Sequence, residues 1–161
     1  MATNGIQREY YLASLNSNNG EILQDKLQRT LSQFTSKNKG FDYRFYDTKT
    51  ARSGFVPAQP GDFMLLIPNN AVLIECKSTK VGTKLLTMAH KGNVGKLQIA
   101  KHRMWHRAGH PSLYLHLDLK TDAIEWHSGK NVVNKIYAPL FTGNSKQVDS
   151  SLKTILENLN A

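Results

Sequence analysis

A single cysteine, Cys76, occurs in the 161 residues. No internal disulfide can therefore form, and a reducing compartment is the natural setting. No apolar run approaches the roughly 20 residues that a membrane-spanning helix needs, so no membrane role is expected. The opening residues MATNGIQREYYLAS carry no apolar block of the secretory kind. Internal repeats and low-complexity tracts are missing, as are zinc-finger and basic-zipper signatures. Acidic residues are also scarce, 12 against 21 Lys plus Arg, which leaves a formal charge of +9.

What is present points to one globular domain spanning residues 1–161, with residues 1–17 loosely held. The hydrophobic share of 40% is enough for a packed core. A basic excess of this size suits a polyanionic partner, bound through phosphate contacts and counterion release. Asn18, Asn19 and Gly20 open a helical stretch. Leu23, Leu27, Leu31 and Phe34 recur every three or four residues and give it one apolar face. Phe41 to Tyr46 alternates as a strand. The breaker-rich loop 47–61 follows, and then two apolar runs, Phe63 to Ile67 and Ala71 to Cys76, flank Pro68-Asn69-Asn70 as a hairpin. After a glycine-containing connector, a second helix is predicted from about Gly95 to Ala108. A strand over Leu113 to Leu119, its partner over Ala123 to His127, and a final helix capped by Asp149 complete the order. The fold class expected is α/β, a mixed central sheet flanked by helices.

The segment PGDFMLLIPNNAVLIECKSTK, residues 60–80, is the sharpest chemical signal. Glu75 and Lys77 stand two apart on a strand and so face the same side, while Cys76 faces the other. A turn at Pro68 to Asn70 brings Asp62 opposite the Glu75–Lys77 end. Two carboxylates can hold Mg²⁺ through oxygen ligands, with Mn²⁺ expected to substitute. Such a metal polarises a phosphoryl oxygen and lowers the pKa of water. A neighbouring lysine can orient that water or offset developing charge. The bland alternative is a salt bridge on a strand end.

The grouping resembles the PD-(D/E)xK nuclease superfamily, written here as Gly61-Asp62 and Glu75-Cys76-Lys77, with Gly61 where the motif usually has proline. Within it the chain looks most like Holliday junction resolvases, the phage junction-resolving endonucleases and the RecU-like group, over residues from about 18 to 119. The resemblance implies a restriction-endonuclease-like core and catalytic roles for Asp62, Glu75, Lys77 and Gln98 of the second helix. It also implies the Cys76 carbonyl as a further metal ligand, and a homodimer whose two sites meet symmetric strands. Family members usually carry a glutamate on the first helix. Here Gln24 falls at that place, flanked by Glu21 and Asp25. Asp25 or Glu21 is the preferred substitute, with Gln24 a weaker neutral donor.

Positive charge gathers in two places. The loop 47–61 holds Lys49 and Arg52 with Phe55, and the second helix region holds Lys91, Lys96, Lys101, Arg103 and Arg107. These are the expected contacts to DNA phosphates. His102, His106 and His110 are spaced by four, but neither a carboxylate nor a cysteine completes a zinc set. Trp105 is spaced from Leu97 and Met104 as a core residue would be. The function expected is a metal-dependent, structure-selective DNA endonuclease resolving four-way junctions in the cytoplasm of a bacterial or phage-infected cell. The alternatives are a homing, restriction or repair endonuclease on the same core, and a DNA-binding module with a decayed nuclease core.

Overall fold

A computed structural model describes residues 19–45, 59–79 and 96–159. The first helix, α1 (Asn19–Lys37), runs three residues past Phe34. The backbone N–H and side-chain amide of Asn38 both donate to the Phe34 carbonyl, at 3.0 and 2.9 Å, and close its last turn. Leu23, Leu27 and Leu31 lie on one stripe and are fully buried, each such burial worth about 1.5–3 kcal/mol.

Strands β1 (Phe41–Arg44), β2 (Phe63–Ile67) and β3 (Asn70–Thr79) form an antiparallel meander. The β2–β3 turn is two residues, Pro68-Asn69. Proline presets the first position, and Asn69 takes the left-handed conformation at φ 68°. Helix α2 (Lys96–Arg107) lies in the crossover to β4 (Ser112–Asp118), which pairs with β3 in parallel, as a connection long enough to hold a helix allows. Strands β5 (Ala123–Ser128) and β6 (Phe141–Asn144) continue antiparallel. Among the described residues the sheet thus has six strands in chain order and is mixed, as expected. The short α3 (Gly129–Val133) follows β5 directly, and α4 (Val148–Leu159) ends the described chain.

Alternation divides the sheet into two faces. Phe63, Leu65, Val72, Ile74, Cys76, Leu113, Leu115, Leu117, Ile124 and Trp126 form one core with the leucines of α1 and with Leu152, Ile155 and Leu156 of α4. The other face carries Glu75, Lys77, Tyr114 and His116, and α2 and α3 pack on that side.

One expectation is corrected and two elements are added. Asp149 is not the cap of the last helix but sits in its first turn, where its carboxylate accepts from Thr30 of α1 and suits the helix dipole. The capping is done by Asn144, whose side chain accepts from Lys146 N at 3.1 Å at the start of a 3₁₀ turn (Ser145–Gln147) leading into α4. Strand β6 and helix α3 are additions. The sequence FTGN has a glycine in four residues, and GKNVV starts on glycine and ends on β-branched residues, so neither carries a strong local signal. The first 18 residues, including the segment expected to be loose, lie outside the described residues. Among the described residues, no helix is long and apolar enough to cross a membrane.

Candidate active site

Asp62 is fixed by its own backbone. Its N–H donates to the Ile74 carbonyl at 3.1 Å and its carbonyl accepts from Phe45 N at 2.9 Å, so it extends β2 between β1 and β3. Gly61 before it lies against Leu73 and the Ile74 carbonyl, so a side chain there would require both to shift. An added Cβ would stand 2.9 Å from Leu73 Cδ1 and 3.3 Å from the Ile74 carbonyl, which gives a physical reason for glycine where the motif usually has proline. The Asp62 carboxylate then crosses to β3, where Oδ2 accepts from Cys76 N at 2.8 Å.

N–H and C=O of one strand residue point to the same side. The Cys76 carbonyl is therefore directed to the Asp62 side, beyond the end of the β2 pairing, which stops at Phe63↔Ile74. Its side chain points into the core and is buried, and burial pushes the thiol well above its ordinary pKa. Glu75 and Lys77 project from the opposite face, with Lys77 Nζ 3.1 Å from Glu75 Oε1. Gln98 of α2 donates its amide to the same oxygen at 2.6 Å. Asp62, Glu75, Lys77 and Gln98 are thus gathered at one end of the hairpin.

The electrostatics of this end are unusual for carboxylates in a basic chain. Glu75 is only 3% exposed, and its pKa is pushed up to about 7 by burial and then by the Asp62 charge, against the pull of Lys77. Asp62 is also raised. Burial outweighs the Cys76 N–H bond, Lys77, Gln24 and Arg44, all of which favour its charged form. Two carboxylates share a desolvated site in which the available cations do not fully compensate them. Tyr114, the register neighbour of Glu75 on β4, has a buried hydroxyl with no hydrogen-bond partner. Burial, followed by the Glu75 and Asp62 charges, raises its pKa.

On the first helix the structure brings Gln24, not Asp25, to the carboxylates. Gln24 Nε2 donates to Asp62 Oδ1 at 3.0 Å. Asp25 is turned to Arg44 of β1, whose Nη1 lies 2.6 Å from its Oδ1. Arg44 also donates to Gln28 at 2.8 Å and to Gln24 Oε1 at 3.2 Å, which orients the Gln24 amide so that its nitrogen faces Asp62. Sequence reasoning missed this role of Arg44. The signal was its place in FDYRFY, since its registered partner Phe63 begins the strand that follows Asp62. The Glu21 side chain lies outside the described residues, as do Lys49, Arg52 and Lys91.

The remaining α2 residues divide by direction. Lys101 donates to the Gln59 carbonyl, beside the loop that leads into Asp62. Lys96, Arg103 and Arg107 are exposed. Trp105 donates its indole N–H to the Ala71 carbonyl at 2.8 Å and so anchors α2 to the hairpin. The three histidines have separate surroundings. His102 is buried with its ring 4.4 Å from that of Tyr114, His106 meets Ser112 at 3.2 Å, and His110 lies 6.2 Å from Trp105. Among the described residues no group of three His, Cys, Asp or Glu side chains is placed to hold a metal ion. The oxygen donors at the hairpin end are two carboxylates and a backbone carbonyl.

No protein-family model matches the chain, and no curated protein matches it in sequence. Among solved structures, the chain is similar to Hjc, a Holliday junction resolvase from the archaeal hyperthermophile Archaeoglobus fulgidus. The identity is 11% and the TM-score 0.43, over 76% of this chain and 88% of that one.

Proposed function

We propose that this chain is a divalent-metal-dependent endonuclease that hydrolyses DNA phosphodiester bonds, and that its substrate is a branched DNA such as a four-way junction. The observation that carries the proposal is the convergence of Asp62 and Glu75 with Lys77 at one desolvated strand end. Burying two mutually repelling carboxylates disfavours ionising either one. That arrangement makes chemical sense where a cation binds.

The donor set fits Mg²⁺ or Mn²⁺. Asp62, Glu75 and the Cys76 carbonyl offer only oxygen, the ligand such hard ions prefer. A cation held there supplies Lewis-acid polarisation of the phosphodiester and eases deprotonation of water. The chain's own residues do the rest. Cys76 N–H and the Gln24 amide fix the Asp62 carboxylate, and Arg44 fixes Gln24. Gln98 holds the Glu75 carboxylate from above the sheet. The Lys77 ammonium stands at Glu75 Oε1, where it can steady charge developing on a phosphoryl oxygen or orient the attacking water.

Exposed Lys96, Arg103 and Arg107 on α2 continue from the site as phosphate contacts. Binding dominated by phosphates carries little sequence information, so selectivity must come from DNA geometry. Two copies of the chain acting as a dimer would match the two-fold symmetry of a junction.

The test is competition. A labelled four-way junction is challenged with linear duplex of the same sequence, in Mg²⁺ or Mn²⁺ at moderate salt, with excess chelator as the control. Preferential cutting of the junction, lost in chelator, supports the proposal. Equal cutting of the duplex makes this a general or site-specific nuclease instead. One observation favours a non-cleaving DNA-binding module: an amide, Gln24, rather than a carboxylate meets Asp62. Binding to every DNA form with no cleavage in either metal would establish that reading.

A further inference from the structure

We propose that the groove between α2 and α3 is a second DNA-phosphate seat, separate from the carboxylate site. Arg103, His106 and Arg107 line it from α2, and Lys130, Val133 and Asn134 line it from α3. Arg103 and Arg107 are one helical turn apart, so their guanidinium groups share a face. Lys130 faces them because the elements beneath approach closely. A Cβ at Gly129 would stand 1.8 Å from Ser112 Oγ and 2.9 Å from His102 Nδ1. Only glycine permits that approach, and it sets Lys130 on the rim.

Among the described residues no carboxylate lines this groove. Among the described residues Arg103, Arg107 and Lys130 make no ion pair, whereas Arg44 and Lys77 are matched to Asp25 and Glu75. Three cations held around one groove without a counter-charge repel each other, and a bound anion relieves that repulsion. Partial burial and then Lys130 push His106 below its ordinary pKa.

The other lining groups suit a nucleotide chain rather than a bare ion. Val133 offers an apolar wall to a sugar, and Asn134 offers an amide donor. The volume of about 430 Å³ falls in the range of sites that hold groups larger than inorganic phosphate.

The spacing also suits a strand that passes the catalytic end. Gln98 meets Glu75, and Arg107 is nine residues further along α2, or about 13–14 Å at 1.5 Å per residue. That is about four base steps at 3.4 Å each. The choice of DNA as ligand rests on the nuclease proposal; the phosphate chemistry of the groove does not.

The experiment measures binding of a fluorescent four-way junction to the whole chain by anisotropy, in chelator, from 50 mM to 1 M salt. Lys130→Gln and Arg107→Gln should each lower the slope of log K against log salt by about 0.9. If variant and wild type bind alike at 1 M salt, that loss of slope makes the variant bind about 8-fold more weakly than wild type at 0.1 M. Arg107→Lys, which keeps the charge, should retain the wild-type slope. Lys153→Gln, on the exposed side of α4 in the opposite layer, should change nothing, and melting curves should match wild type throughout.

If Lys130→Gln and Arg107→Gln do no more than Lys153→Gln, the groove is not a DNA seat. Unchanged DNA affinity in Lys130→Gln and Arg107→Gln, with inorganic phosphate at low millimolar concentration raising the melting temperature of wild type but not of the variants, would mark a small-anion site and overturn the assignment. Because binding is read without metal, failure of wild type to cleave in Mg²⁺ would sink the nuclease proposal and leave this result standing.

Discussion

Replacing Glu75 by glutamine should stabilise the metal-free protein above neutral pH while it removes cleavage. In the fold the Glu75 carboxyl titrates near 7, against an ordinary value of 4.5, because it is buried and faces Asp62. The folded chain holds this proton more tightly than the unfolded chain, so stability is greatest below pH 4.5 and falls as pH rises towards 7. At 1.36 kcal/mol per pH unit the loss is about 3 kcal/mol once both states are ionised.

Glutamine keeps the shape and stays neutral, so the variant should behave at every pH as wild type does with Glu75 protonated. In a chain of this size 1 kcal/mol moves the melting temperature by about 2–4 °C. Wild type in chelator should therefore melt about 6–12 °C below Glu75→Gln at pH 8, and at nearly the same temperature at pH 4.5. Added Mg²⁺ should raise the wild-type melting temperature and close most of that gap, because the cation replaces the proton. Thermal melts across pH 4.5–8.5, with and without Mg²⁺, check all of this. If the two proteins melt together at pH 8 in chelator, the two carboxylates are not in conflict, and the argument that a cation belongs between them fails.

Asp62→Asn should abolish cleavage and leave DNA binding unchanged or stronger, since negative charge near phosphate is removed; parallel cleavage and anisotropy assays check it, and full activity would refute it. Lys77→Ala should slow the single-turnover chemical step by about 10²-fold or more while affinity changes far less; equal losses would mark a plain phosphate contact. Gln24→Ala should weaken apparent Mg²⁺ affinity in a metal titration of the cleavage rate, because Asp62 loses its orienting donor. Asp25→Ala, which removes an exposed partner of Arg44, should be near neutral by comparison, and the reverse order would move the metal to Asp25.

The amino-acid sequence by itself determined the parts of this protein that depend on neighbours along the chain. The leucine spacing of α1, the alternation of β4, and Pro68-Asn69 between two apolar runs each set a local period or turn. The hairpin then carries Asp62 to the Glu75–Lys77 end almost as a matter of counting, since its register follows from a two-residue turn. Elements with weak local signals, β6 and α3, form only because the sheet edge and the β5 end receive them.

Tertiary structure decided what depends on residues distant in sequence. The pairing of β3 with β4 in parallel needs the α2 crossover, which also sets Gln98 over Glu75. The choice between Gln24 and Asp25 was not legible, because both suit a helix start. It is made by Arg44, about twenty residues away, which draws the aspartate to itself and turns the amide nitrogen towards Asp62. The raised pKa of Glu75 and the gathering of Arg103, Arg107 and Lys130 around one groove belong to the same class. Burial and charge balance are properties of the space around a group, and a sequence fixes that space only after the distant elements have packed.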